Sequence, residues 1–210
     1  MIRVLVLTLF VGFPLAARAT ATILVFGDSI SAGYGLPADA GWVNLLRQRL
    51  DKLGPDYTVV NASISGETAA GGRRRIDAAL DTHRPDIVIL ELGGNDGLRG
   101  ARIESLHSDL EAMVAASLKR NARVVLVGMR VPPNYGPAYA QQFERVYAAV
   151  AKKHRVTLVP FLFEGFGERH ELFQSDGIHP TREAQPLMLE TVWKALGPLV
   201  KPRKSGSARR

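Results

Sequence analysis

Five short aliphatic runs that do not alternate with polar residues constrain this chain most: 22–26 (TILVF), 57–60 (YTVV), 86–92 (DIVILEL), 123–127 (RVVLV) and 156–161 (VTLVPF). A strand with one wet face alternates with period two, whereas a strand covered on both faces reads as a continuous apolar run. Between these runs apolar residues recur with helical spacing. Trp42, Leu45, Leu46, Leu50 and Leu53 mark one face, and Ile103, Leu106, Leu110, Met113, Val114 and Leu118 a second. Phe143, Val146, Tyr147 and Val150 mark a third, and Leu189, Val192, Trp193 and Leu196 a fourth. Strands alternating with helices predict an α/β class: a three-layer α/β/α, flavodoxin-like fold with a five-stranded parallel sheet. Gly71-Gly72 and Pro186 fall in the first turns of two helices and blur where those helices start. In such sheets ligands sit outside the carboxyl ends of the strands. That directs attention to the loops 27–36, 62–68, 93–100, 130–137 and 162–180.

The two ends of the chain read differently from its body. Met1-Ile2-Arg3 is a short basic start, 4–16 is apolar, and Ala17-Arg18-Ala19 is an A-x-A cleavage site. This is the pattern of a secretory signal peptide, and its apolar run is too short for a membrane span. Ala19-Thr20-Ala21 offers a second cleavage position. Residues 1–19 are therefore read as a signal peptide, 20–200 as the folded domain, and 201–210 as a basic, disordered tail. The net charge of +7 suggests a nucleic-acid partner only until it is located. Arg3 and Arg18 lie in the leader, and Lys201, Arg203, Lys204, Arg209 and Arg210 in the tail; neither end holds an acid. The body is neutral, so no nucleic-acid partner is expected; the tail offers at most a weak attraction to anionic membrane surfaces. The chain has no cysteine, which excludes thiol catalysis and disulfides.

Within the first loop, Gly27-Asp28-Ser29 places a serine two residues beyond a buried strand, with Gly27 read as the residue that permits a tight turn. It is neither a G-x-S-x-G elbow nor a phosphate-binding loop. On its own such a turn serves equally well as a helix cap. A nucleophilic serine needs a base, and the chain has five histidines. His83, His107 and His154 are read as solvent-facing, and His170, beside Glu168 and Glu171, as a weaker rival. In Asp176-Gly177-Ile178-His179-Pro180 a carboxylate precedes an imidazole by three residues in the last long loop. Gly177 lets the chain turn so that Asp176 meets His179 Nδ1, and Pro180 favours an extended His179. Nε2 is then free to face a serine, as a nucleophile–base–carboxylate chain requires. A plain helix-capping turn is the competing reading of this segment. Donors for a developing oxyanion are available at the Asn95 amide, within Gly93-Gly94-Asn95-Asp96-Gly97, and at the Gly66 N–H. All these residues fall on the predicted ligand edge. No His/Asp/Glu cluster has metal-ligand spacing, because His170-Glu171 lacks a histidine four residues on.

Gly27-Asp28-Ser29, Gly66, Gly94-Asn95-Asp96 and Asp176-x-x-His179 resemble, in order, the four blocks of the SGNH (GDSL-type) hydrolases. The stretches Asn61-Ala-Ser-Ile-Ser-Gly-Glu-Thr68, Glu91-Leu-Gly-Gly-Asn-Asp-Gly-Leu-Arg-Gly100, Pro133-Asn-Tyr-Gly136 and Ala184-Gln-Pro186 are similar to its periplasmic thioesterase/protease/lysophospholipase/arylesterase group. The resemblance covers the chain after the leader. It implies Ser29 as nucleophile and Asp176 and His179 as the rest of a triad. It implies an oxyanion hole of Ser29 N–H, Gly66 N–H and the Asn95 side chain, a periplasmic location, and no metal or other cofactor. Glu67, where that group often has Asp, lies outside the chemistry.

The expected substrate is a small acyl ester or thioester, such as an aryl ester, an acyl-CoA or a lysophospholipid. Leu98, Val131 and Tyr135, with Phe161, Phe163 and Phe166, are candidates to line an acyl groove. The bracketing Gly97 and Gly100 suggest that Leu98 rides on a movable loop. A carbohydrate O-deacetylase of the same fold would show a small polar pocket instead, and a non-catalytic binding module would leave Ser29 unreactive.

Overall fold

The computed structural model describes residues 20–54 and 56–200; the expected leader at 1–19 and basic tail at 201–210 lie outside the described residues. Five strands, β1 (Ala21–Gly27), β2 (Tyr57–Asn61), β3 (Ile87–Glu91), β4 (Arg123–Val127) and β5 (Thr157–Val159), form one parallel sheet in the order β2-β1-β3-β4-β5. The helices are α1 (Ser29–Ala32), α2 (Trp42–Leu53), α3 (Ala69–His83), α4 (Gly94–Leu98), α5 (Ile103–Lys119), α6 (Pro137–His154) and α7 (Gln185–Leu196). Helices α3, α5 and α6 pack side by side, and α2 packs with α7. This is the three-layer, flavodoxin-like arrangement expected from the alternation of strand and helix signals. No helix among the described residues is long and apolar enough to cross a membrane.

The continuous apolar reading holds for the inner strands: the aliphatic residues of β1, β3 and β4 from Ile23 to Phe26, Ile87 to Leu90 and Val124 to Val127 are buried. It fails at the edges. In β2 only Val59 is buried, and in β5 only Val159. An edge strand loses a covering neighbour, so its apolar content overstates its burial. The fifth run also ends early, because Pro160 cannot continue the ladder. There Gly128 passes so close that a Cβ would lie 2.3 Å from the Pro160 carbonyl oxygen.

Helix α3 tolerates Gly71-Gly72 near its start for two reasons. Thr68 caps it by accepting the Gly71 N–H at 3.2 Å. A Cβ on Gly72 would meet Leu92 at 2.4 Å, so the bare residue lets α3 lie against the sheet. Asp96, from the loop after β3, accepts the Ala69 N–H at 2.8 Å and fastens the same helix start to the neighbouring loop. The order β2-β1-β3 places the chain reversal of the fold at β1 and β3. The loops after these two strands, which carry Ser29 and Asn95, therefore flank the position where ligands bind in such sheets.

Candidate active site

Ser29 opens α1 directly after β1 and is nearly buried. Its turn is fixed by Asp28, whose Oδ1 accepts the Ile30 N–H at 3.0 Å as the helix cap. Gly27 proves necessary for a reason other than the expected tight turn. It has no left-handed conformation, but a Cβ there would lie 2.6 Å from Glu91 Oε2 and 2.9 Å from the Glu91 carbonyl oxygen.

The last loop brings His179 to this serine across 150 residues of chain: His179 Nε2 lies 2.8 Å from Ser29 Oγ. Asp176 organises its own segment. Its Oδ1 accepts the N–H groups of Ile178 and His179 at 2.9 and 3.0 Å, and its Oδ2 meets His179 Nδ1 at 2.7 Å. Gly177 takes φ +69°, the left-handed conformation the turn requires. Desolvation pushes the Asp176 carboxyl up, but the two backbone N–H groups and the imidazole outweigh it and hold it down at about 2. An ionised Asp176 accepting from Nδ1–H leaves the Nε2 lone pair for the serine proton. The turn thus caps the backbone and orients the imidazole together, so the two readings left open by the sequence coincide. The rival His170 sits exposed on a 3-10 turn beside Arg169 and Glu171. His83, His107 and His154 correct an expectation: all three are half-buried, and His107 and His154 approach Glu111 at 3.5 and 3.4 Å.

The three donor candidates lie on the loops after β1, β2 and β3. Gly66 turns at φ +79°, and neither its N–H nor that of Ser29 has a protein acceptor among the described residues. The Asn95 amide nitrogen lies 2.9 Å from the Glu67 carbonyl oxygen and 3.1 Å from Asp28 Oδ2, so both of its protons are engaged. An oxyanion between Ser29, Gly66 and Asn95 would take over one of them. Burial raises the Asp28 carboxyl to about 6, against the pull of the Ile30 N–H and the Asn95 amide. Arg75, from α3, ties these loops together. It donates to Glu67 Oε2 at 2.6 Å and to the Ala62 carbonyl at 2.8 Å, and its guanidinium covers the Phe26 ring at 3.8 Å.

The apolar candidates divide. Phe163 and Phe166 are core, and Phe161 is half-buried under the Arg130 guanidinium at 4.5 Å. Leu98, Val131 and Tyr135 are half-buried. Tyr135 Oη donates to the Leu98 carbonyl at 2.7 Å, and Val131 fills the space beside Gly97. Residues 94–98 form a short helical turn held in this way, where a loop was expected. Sequence reading missed Tyr34, whose ring packs tilted by 37° against His179 at 4.4 Å between centroids. It also missed Gln174, which donates to the carbonyls of Tyr34 and Pro180 at 2.9 and 3.2 Å. Buried Gln185 was missed as well; it accepts the Trp42 N–H at 2.9 Å and donates to the Thr181 carbonyl at 3.1 Å. These residues clamp the histidine loop to the serine side, and only the polarity of Gln185 on an otherwise apolar helix face hinted at it.

A hydroxyl, an imidazole and a carboxylate in line are the equipment of acyl transfer. The model of the GDSL-like Lipase/Acylhydrolase family matches residues 25–186, and the chain belongs to that family. It is 51% identical to the Esterase TesA of Pseudomonas aeruginosa over 87% of this chain and 90% of that one. It is 42% identical to the Thioesterase 1/protease 1/lysophospholipase L1 of Escherichia coli K12, over 88% of this chain and 87% of that one. The psychrotrophic esterase EstA from Pseudoalteromonas sp., solved inhibited by monoethylphosphonate, superposes with a TM-score of 0.81. It is 38% identical, over 85% of this chain and 97% of that one.

Proposed function

We propose that Ser29 is the nucleophile of this chain, His179 its general base and acid, Asp176 the residue that orients and stabilises the imidazole, and Ser29 N–H, Gly66 N–H and Asn95 the oxyanion hole. The observation that carries this reading is the unbroken chain from Ser29 Oγ to His179 Nε2 at 2.8 Å and from Nδ1 to Asp176 at 2.7 Å. The protein is a carboxylic ester hydrolase, acting on esters and thioesters. Ser29 Oγ attacks the acyl carbon as its proton passes to Nε2, and the carbonyl oxygen becomes an oxyanion held by the three donors. The imidazolium then gives the proton to the departing alcohol or thiol. Water, activated by the same nitrogen, releases the acid from the acyl-enzyme.

We further infer that the acyl chain lies along Leu98, Val131 and Tyr135, beside the oxyanion residue Asn95, and that the chain acts in the periplasm. The pinned helical turn at 94–98 supports the first point, and the leader pattern of residues 1–19 the second. A contact of the basic tail with anionic membrane surfaces would bring the enzyme to lipid-derived substrates. The test is a rate profile on p-nitrophenyl esters and acyl-CoA thioesters from acetyl to palmitoyl. Rates that rise from acetyl to medium chains are expected, and confinement of activity to acetyl groups would replace this reading with a deacetylase. Histidine-directed loss of activity in His179→Ala on every substrate completes the test; a retained rate overturns the assignment of the base.

A further inference from the structure

The triad and oxyanion donors leave unused a buried acidic residue under the nucleophile turn. Glu91 ends β3 and is wholly inaccessible to solvent. Its Oε2 accepts the Ser31 hydroxyl proton at 2.7 Å and lies 3.5 Å from the Asp28 N–H. Its Oε1 has no hydrogen-bond partner among the described residues. Gly27 makes this approach possible, since a Cβ there would collide with Oε2 and with the Ser31 hydroxyl.

The titratable groups that face Glu91 are Asp28, from the turn after β1, and Tyr147, from α6. Tyr147 spends its hydroxyl proton on the Leu92 carbonyl. The nearby cation, Arg75 of α3, reaches the Gly27 carbonyl at 3.5 Å and places its other donors on Glu67 and Ala62. Glu91 forms no ion pair among the described residues. An ionised carboxylate with no cation and one good donor is far more costly to bury than a neutral acid. Two buried carboxyls side by side do not both ionise. Asp28 accepts the Ile30 N–H at 3.0 Å and the Asn95 amide at 3.1 Å, whereas Glu91 accepts the Ser31 hydroxyl and only a long 3.5 Å contact from the Asp28 N–H, so the shared site keeps its proton on Glu91. Burial and the neighbouring Asp28 push the Glu91 carboxyl well above the usual range, in the same sense.

We propose that Glu91 is a positioning residue for the nucleophile: a neutral carboxylic acid that anchors the Ser31 hydroxyl and the Asp28 N–H, and so fixes the turn from which Ser29 projects. Its neutrality has a second consequence. It lets Asp28 stay ionised at working pH and keep its hold on the Asn95 amide. The proposal rests on Ser29 being the nucleophile.

The test compares Glu91→Gln, Glu91→Leu and Ser31→Ala in the full-length enzyme. Gln carries an acceptor oxygen and no charge, so E91Q should retain the kcat, the KM and the pH profile of the wild type. E91L and S31A lose the anchor and should lose kcat roughly tenfold to a hundredfold with KM unchanged, as a slightly misplaced reacting atom does. S31A keeps the test decisive if E91L does not fold. The infrared carbonyl band of a protonated carboxylic acid should be present in the wild type and absent in E91Q. An E91Q enzyme as impaired as E91L, a wild-type kcat in S31A, or a spectrum that E91Q leaves unchanged would each overturn the proposal. A Ser29→Ala enzyme that kept its activity while the band persisted would overturn the nucleophile instead, so the two failures are distinct.

Discussion

Replacing Asp176 with Asn separates a catalytic carboxylate from a mere turn former. Asp176 Oδ1 accepts two backbone N–H groups, from Ile178 and His179, and Oδ2 accepts from His179 Nδ1. In Asp176→Asn the amide oxygen should stay at the Oδ1 position. A flipped amide would point its N–H groups at two backbone donors and lose two hydrogen bonds worth about 1 kcal/mol each. The –NH2 then faces Nδ1, which must become an acceptor. The imidazole proton moves to Nε2, where it points at Ser29 Oγ, 2.8 Å away. A base that already carries its proton on the working nitrogen cannot take another. The expected cost is about 10⁴-fold in kcat, which corresponds to about 5.5 kcal/mol of barrier. The turn keeps its backbone bonds but loses the ionised carboxylate, so the melting temperature should fall modestly above about pH 4 and converge with the wild type as pH falls towards 2. Steady-state rates on a p-nitrophenyl ester measure the loss, and ¹⁵N NMR of the labelled imidazole reads the tautomer. A variant within tenfold of the wild type, with the tautomer switched, would refute the reasoning and reduce Asp176 to a cap.

Asn95→Ala should lower kcat by about 10²–10³ with KM little changed, as steady-state kinetics would show. The Asp28–Asn95 link adds that Asp28→Leu should reproduce part of that loss. Leu98→Ala should flatten the rise of kcat/KM with acyl length, about 0.8 kcal/mol per methylene, and spare the acetyl ester; an equal loss on all lengths would place Leu98 in the catalytic geometry. Acid stability carries opposite signs at two carboxyls. Asp176 is held at about 2 in the fold against an ordinary 3.8, so its contribution is full above about pH 4 and is lost as pH falls towards 2. Asp28 is raised from 3.8 to about 6, so its cost is present above pH 6 and is relieved as pH falls from 6 to 4. Thermal melts of Asp176→Ala should therefore lose part of the decline below pH 4, and those of Asp28→Leu the gain between 6 and 4.

The inner strands were legible because burial on both faces leaves a continuous apolar signal, as in Ile87 to Leu90. Edge strands β2 and β5 carry similar residues in a different environment, so their apolar content overstates their burial, and β5 stops at Val159 before Pro160. Helix α4 was hidden by its glycines. Gly93 adopts φ +113°, and Tyr147, Val131 and Phe143 occupy the space that side chains on Gly93 and Gly97 would fill. Tertiary packing there outweighs the low helix propensity of glycine. The pairing of Asp176 with His179 was legible because both partners lie in one short turn. Ser29, 150 residues away, could be joined to them by the rule that ligand loops converge at strand ends and by the family resemblance, not by local spacing. Tyr34, Gln174 and Gln185 act singly, across loops, and leave no periodic trace. Glu91 did leave one: an acid ending an otherwise aliphatic buried run marks a polar group whose partner must be found.

The identity of the oxygen that attacks the acyl carbon decides the mechanism. A fluorophosphonate that mimics the tetrahedral intermediate, followed by digestion and peptide mass mapping, reads that atom directly. One adduct per chain is expected, on Ser29, formed rapidly by the wild type, slowly by His179→Ala and not at all by Ser29→Ala. An adduct on Ser31, or undiminished labelling of Ser29→Ala, would contradict the Ser29 mechanism.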